Sequence, residues 1–339
     1  MSRLNLAAAE DARAIGARRL RATPVVEFAA VDGYGPIFNA GVIEVDGVFH
    51  LFARGVRAGY LRNGGEGPRF LDYVSDVLVF TSEDGLDYRF QQVLATGADE
   101  GAHSVEDPRV QRVRSGRREH VLLTYTHLPD PASGRPWQVG VHRLRYKDGR
   151  FALNRSSGRV VGPPGLPDKD AVLFNLRDGR VGLIHRIHPD IQLAIFDSLE
   201  HLFAAGDDYW QGHLRELERH TLLRPSPGAL GIGAGAPPVA IPAGLLLFYH
   251  ERDARSHYTM KVALLDHGSG EVLAQLEEPI LRPELEWERA GDVDEVVFVQ
   301  GAVARPDGSI YLTYGAADRC IGAASVETDR LVRALAAAA

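Results

Sequence analysis

The sequence predicts an all-β fold: a five-bladed β-propeller with a short helix at each end. Two observations carry that prediction. First, five stretches share one plan, a turn and a short apolar run that ends in polar residues. They are DGVFHLFARG (46–55), REHVLLTYTH (118–127), DGRVGLIHRI (178–187), AGLLLFYHER (243–252) and DGSIYLTYGAAD (307–318). Second, their starts lie roughly 60 to 70 residues apart across nearly the whole chain, and a long fixed period marks units that cannot bury their own faces alone. Each unit reads as strands, so the units are expected to be blades whose polar strand ends converge on one central channel. The 339 residues are therefore assigned to a single domain. It comprises an N-terminal helical extension (1–24), the propeller (25–325) and a C-terminal helix (326–339).

The elements follow in order. Residues 5–22, NLAAAEDARAIGARRLRA, are rich in Ala, Leu and Arg. They predict a helix that ends at Thr23-Pro24, because the residue before proline avoids the helical region. Strand signals then dominate: VIEV, VFHLFA, VLVFTS, HVLLTYTH, VGVHRLRY, AVLFNL, VGLIHRI, LAIFDS, LLLFYH, KVALLD and IYLTYG. Asp-Gly pairs at 46–47, 84–85, 148–149, 178–179 and 307–308 supply hairpin turns. The stretch 200–220 is mixed and admits a helical turn. VETDRLVRALAAAA (326–339) predicts a last helix with Thr328 or Asp329 near its N-cap.

Composition excludes some classes of function. An apolar content of 45% is that of an ordinary globular chain, and a net charge of −7 leaves no overall footprint for nucleic acid. The basic run RVRSGRR (112–118) surrounds a glycine turn and reads as a solvated hairpin tip. No apolar run is long enough to span a bilayer. One cysteine, Cys320, allows no internal disulfide, and Glu10 and Asp11 interrupt the N-terminal apolar residues. Both features point to a cytoplasmic location. The 13 histidines show no compact ligand spacing, so no metal is expected.

Several short motifs can carry chemistry. In VEDPRV (105–110), Pro108 biases Asp107 toward an extended conformation at a strand entrance. Arg109 can orient a neighbouring carboxylate or contact a ligand, although the motif also fits a loop with a local ion pair. DKDAVLF (168–174) and IHRIH (184–188) set Lys169, His185 and Arg186 on two consecutive strands joined by Asp178-Gly179. Cations at one channel mouth favour an anion, and the arginine fork suits phosphate. Pairing with Asp168 and Asp170 is the alternative. His250 ends an apolar run where Arg54, Arg186 and Asp318 end theirs, and His257 and Tyr258 open the next strand. GIGAGAPP (231–238) lacks the helix that a dinucleotide loop requires and reads as a tight turn with close backbone approach.

FNAGV (38–42), EDPR (106–109), KDAVLF (169–174), HR (185–186), GxGAPP (233–238), YH (249–250), LLD (264–266) and YGAAD (314–318) occur in the order seen in glycoside hydrolase family 130. The chain resembles that family over about residues 36–325. The resemblance implies a five-bladed propeller and an inverting phosphorylase of β-mannosides that gives α-mannose 1-phosphate. An inverting β-mannosidase is the alternative within the family. It implies that Asp107 is the general acid, acting through a sugar hydroxyl. By the same resemblance, Lys169, Arg186, His250 and Tyr258 bind phosphate, and Asn39, Arg54, Arg109, Asp170 and Asp318 contact sugar. Inorganic phosphate is then the co-substrate, a β-mannoside oligosaccharide the partner, and no cofactor, nucleic acid or membrane is needed. A homo-oligomer is left open. The chain departs from the family's pattern at Asn175, often proline, and at Glu251, usually a small residue. Glu251 beside phosphate would repel it, and in a hydrolase would supply the base for water. A non-catalytic carbohydrate-binding propeller is the third alternative, and it would lack a positioned acid.

Overall fold

A computed structural model describes residues 15–338. It contains five antiparallel sheets of four or five strands, plus a two-stranded hairpin at Leu61–Arg62 and Phe70–Leu71. The five sheets are the blades of a propeller, as predicted. Each begins with an innermost strand: Tyr34–Val45 in blade 1, Ser104–Ser115 in blade 2 and Lys169–Asn175 in blade 3. Blade 4 begins with Gly231–Ala234, and blade 5 with Val297–Ala304. The second strands are Val48–Arg57, Arg118–Leu128, Val181–Arg186, Gly244–Arg252 and Ser309–Ala316. The five recurrent stretches in the sequence are these second strands. Their recurrence is legible because each is buried on both faces and reads as a continuous apolar run.

The ring closes through the chain terminus. Arg18–Arg19 is the outermost strand of blade 5 and pairs antiparallel with Ser325 and Ala324. This corrects the helix expected over 5–22. Residues 5–14 lie outside the described ones, and 15–22 form no helix but carry this strand. An edge strand needs partners for its backbone, and that pairing overrides local helix propensity. Arg19 adds an ion pair with Glu288, whose carboxylate is buried, at 2.7 Å. The C-terminal helix spans Thr328–Ala338 and packs Leu331 and Leu335 into the core between blades 4 and 5.

The mixed stretch carries more helix than one turn. Leu199–Ala204, Asp207–Arg215 and Leu217–His220 are helical and lie between the third and fourth strands of blade 3. The basic run 112–118 is a hairpin tip, with Ser115 paired to Arg118 around Gly116 at φ 60°. Cys320 is buried, and burial pushes its thiol up to about 12, so it behaves as an apolar core residue. Among the described residues no helix is long and apolar enough to cross a membrane.

Candidate active site

The inner strands place functional side chains by breaking their own ladders. Pairing between first and second strands slips between Phe38 and Ala40, between Glu106 and Arg109, and between Lys169 and Val172. At these bulges Asn39, Asp107 and Asp170 take left-handed φ values of 48°, 51° and 54°. Asn and Asp tolerate that region better than other residues with a side chain. A bulge re-aims the side chain it carries, so blades 1 to 3 each turn one amide or carboxylate toward the channel.

These residues meet in a cavity of about 140 Å³. Its lining holds Asn39, Arg54, Asp107, Lys169, Asp170, Arg186, His250, Tyr258 and Asp318, nine positions named from the sequence. The Asn39 Nδ2 group donates to Asp107 Oδ1 at 2.9 Å, and Arg54 approaches the same oxygen at 3.3 Å. Arg54 also pairs with Glu106 and donates from Nε to Ser75 Oγ at 2.9 Å. Opposite this group, Arg186 lies 3.0 Å and His250 3.8 Å from Asp170 Oδ2. Lys169 makes no ion pair within 4.0 Å among the described residues, and its Nζ stands 6.0 Å from the centre of the Trp137 ring.

Three assignments are corrected by this geometry. Arg109 lies beneath the cavity and does not line it. It is 1% exposed and donates to the carbonyls of Asp107, Ala234 and Gly235 and to Asp170 Oδ1, at 2.9 to 3.1 Å. Of its two sequence roles, orienting carboxylates is the one it fills. Glu251 alternates with His250 along the strand and faces the other way. It pairs with Lys261 at 2.9 Å and accepts the Ser226 N–H at 2.8 Å. A base for water at Glu251 is therefore not brought to the cavity, nor does it stand against phosphate there. His185 likewise leaves the basic set. It is fully buried on the face opposite Arg186 and contacts Asp168.

Sequence reasoning missed Glu106 as a lining residue, together with Val293, Val296 and Phe298. Glu106 stood inside the EDPR motif, but its direction depends on the bulge after it. Val293 and Val296 lie in the approach to blade 5, GDVDEV (291–296), and Phe298 on its first strand, and nothing in the sequence sets these apolar residues apart from core ones.

Burial and neighbouring charge divide the cavity electrically. Burial pushes the Asp318 carboxyl up to about 7, with Asp107 and Glu106 adding to the rise and Arg54 opposing it. Burial also raises Glu106, against the pull of Arg54. Burial acts to raise Asp170 too, but Arg186, His250, Lys169 and Arg109 together hold it well below the usual carboxylate range. Burial drops His250 to about 3, so its ring is neutral at pH 7 and Lys169 and Arg186 supply the positive charge. The cations Lys169 and Arg186 come from blade 3, next to the neutral His250 and Tyr258 of blade 4, whereas the acids Asp318, Glu106 and Asp107 come from blades 5 and 2, with Arg54 and Asn39 of blade 1 against them. Gly233 makes room for Asp170 and His250 to meet, since a Cβ there would sit 2.4 Å from both Asp170 Oδ2 and the His250 ring. No cluster of three or more His, Cys, Asp or Glu suited to a metal occurs among the described residues.

Comparison with known proteins gives a consistent picture. The model of glycoside hydrolase family 130, described as beta-1,4-mannooligosaccharide phosphorylase, matches residues 17–337. A beta-1,2-mannobiose phosphorylase of Thermoanaerobacter sp. (strain X514) is 33% identical over 300 residues, covering 87% of this chain and 91% of the relative. A 1,2-beta-oligomannan phosphorylase of the same organism is 29% identical over 304 residues, covering 86% and 90%. The fold is shared with beta-1,2-mannobiose phosphorylase from Listeria innocua, solved with beta-1,2-mannobiose. That structure has a TM-score of 0.71 at 20% identity, over 95% of this chain and 99% of the other. It is also shared with a mannose phosphorylase from Leishmania mexicana solved with a phosphate ion, at TM-score 0.66 and 17% identity over 97% and 95%.

Proposed function

The chain belongs to glycoside hydrolase family 130, and from that premise we propose that it is an inverting phosphorylase of β-mannosides that releases α-mannose 1-phosphate. The observation that carries this is the divided cavity. Lys169, Arg186, His250 and Tyr258 lie together on blades 3 and 4, and Asp107 comes from blade 2. Inversion needs an acid on one face of the glycosidic bond and a nucleophile on the other. Phosphate is already an anion and needs placement more than deprotonation. A phosphate oxygen forms the new bond to the anomeric carbon as the bond to the leaving oxygen breaks. The proton from the Asp107 carboxyl ends on that oxygen, relayed by a sugar hydroxyl as the family resemblance implies. Arg54 and Asn39 hold the Asp107 carboxyl in place, and Arg109 fixes its backbone. The Thermoanaerobacter relatives are named for β-1,2 linkages, which makes β-1,2-mannobiose the first substrate to test.

The test compares β-1,2-mannobiose with and without inorganic phosphate. The expected products with phosphate are mannose 1-phosphate and mannose, with negligible cleavage when phosphate is left out. Arg186→Ala is expected to weaken phosphate use by roughly ten- to a hundredfold, the value of a charge-assisted contact. Free mannose released at a rate indifferent to phosphate would establish a hydrolase instead.

A further inference from the structure

Behind the cationic wall lies a buried chain of polar groups that the chemistry above does not use. Asp168 is 1% exposed, His185 0% and His213 4%. The Asp168 Oδ1 atom accepts the backbone N–H of Arg186 at 3.1 Å, and its Oδ2 accepts from His185 Nδ1 at 2.8 Å. His185 Nε2 faces His213 Nε2 at 3.3 Å. Gly162, at φ 106°, leaves the space that this needs, since a Cβ there would stand 2.7 Å from Asp168 Oδ2. Trp210 packs edge-on against both imidazoles, and His220 stacks on His213 at 4.1 Å.

The hydrogen bonds have one consistent direction. A carboxylate only accepts, so His185 carries its proton on Nδ1. In the neutral ring its Nε2 is then an acceptor, and His213 donates from its own Nε2. Burial holds His213 neutral, with a pKa down to about 3 and with His185 and His220 adding to the drop. The donor comes from the Asp207–Arg215 helix, so the helical excursion of blade 3 reaches into this chain.

The position of Asp168 explains why such a chain is needed. It directly precedes Lys169, and Lys169 and Arg186 are paired across the two strands. A buried carboxylate beside two cations would be drawn to them and would cancel the field that attracts an anion. Here both its oxygens are occupied elsewhere. Lys169 keeps no carboxylate within 4.0 Å among the described residues, and Arg186 keeps only Asp170. We infer that Asp168, His185 and His213 form a positioning relay. It holds the Asp168 charge away from Lys169 and Arg186 and thereby sets the affinity of the cavity for inorganic phosphate. The inference rests on the phosphorolysis proposed above.

Calorimetric titration of inorganic phosphate into the full chain tests it, with KM for phosphate and for β-1,2-mannobiose measured alongside. His185→Leu removes the donor to Asp168 and is expected to weaken phosphate binding about tenfold or more, with the mannobiose KM unchanged. His185→Asn offers an amide N–H where Nδ1–H stood and is expected to restore binding to within about threefold of wild type. Wild-type protein that binds no phosphate would sink the phosphorolysis proposal and this inference with it. Phosphate bound equally by wild type and His185→Leu would sink the inference alone, as would an Asn variant as weak as the Leu variant. Should His185→Leu fail to fold, His213→Leu removes the donor to His185 and leaves the Asp168–His185 bond in place. It is expected to weaken phosphate binding about threefold, and unchanged affinity there overturns the relay.

Discussion

Asp107 and Asp318 line the same cavity from blades 2 and 5, and their surroundings set different tasks for them. Asp107 is held by Asn39 and Arg54. Asp107→Asn keeps that shape but has no proton to give, so phosphorolysis of an unactivated mannobiose is expected to fall by about 10²–10⁴. Turnover at the wild-type rate would remove the acid role. Asp318 is raised to about 7, chiefly by burial. From about pH 4, where an unfolded aspartate titrates, up to pH 7, the folded state holds a proton that the unfolded state has released. The contribution of Asp318 to stability is therefore complete below pH 4 and is lost as pH rises through 7. Melting temperatures of wild type and Asp318→Asn across pH 4–8 check this: their difference should shift against the wild type as pH rises. A difference flat in pH would contradict it.

Bulges and close glycines turn a ladder of strands into a site. The inner strand of blade 4 is interrupted, and Gly231–Ala234 and Val239–Ile241 each pair with Gly244–Arg252. Gly235, between them, has no space for a side chain: a Cβ would meet the Val299 carbonyl at 2.3 Å and the Phe248 carbonyl at 2.9 Å. Both obstacles are backbone, so Gly235→Ala is expected to cost about 1–3 kcal/mol. Gly231 has nothing within 4 Å of a Cβ, and Gly231→Ala is expected to be near neutral. Urea midpoints of the two variants give the comparison, and equal midpoints would refute it. The glycine run in GIGAGAPP announced close backbone approach, but not the neighbours. Val299 belongs to the next blade, and Phe248 to the second strand of the same blade. Similarly, EDPR announced a constrained carboxylate, whereas the direction of Glu106 and the burial of Arg109 follow from a bulge that the ladder defines.

Closure of the ring depends on two residues at one end of the chain. Arg19 reaches Glu288 with Nε and Nη2, both at 2.7 Å, while the Tyr314 hydroxyl donates to the same carboxylate at 2.9 Å. Arg19→Ala leaves that carboxylate buried without its cation and is expected to cost about 3 kcal/mol. Denaturant unfolding measures it, and a loss under about 0.5 kcal/mol, the range of exposed ion pairs, would show that the closure does not depend on this pair. The residues around Arg19 read as helix in isolation because Ala, Leu and Arg favour one. Pairing with a strand some 300 residues away overrides that preference.

By itself the sequence determined the five-fold repeat and the strand class, and through the resemblance to glycoside hydrolase family 130 it named nine of the residues lining the cavity. Those features are local: apolar runs, Asp-Gly turns and polar strand ends recur at a period the chain displays directly. Tertiary structure decided which face of a strand meets the channel. His250 faces the cavity while Glu251 pairs with Lys261, because successive strand residues point to opposite sides. It also decided that Arg109 braces the Asp170 carboxylate and the Asp107 backbone from below, that Asp168 is tied to His185, and that the ring is closed by Arg18–Arg19. Each of these depends on pairing or packing between segments far apart in the chain or on which face of a strand a residue takes, and that is not encoded in the spacing of residues along the chain.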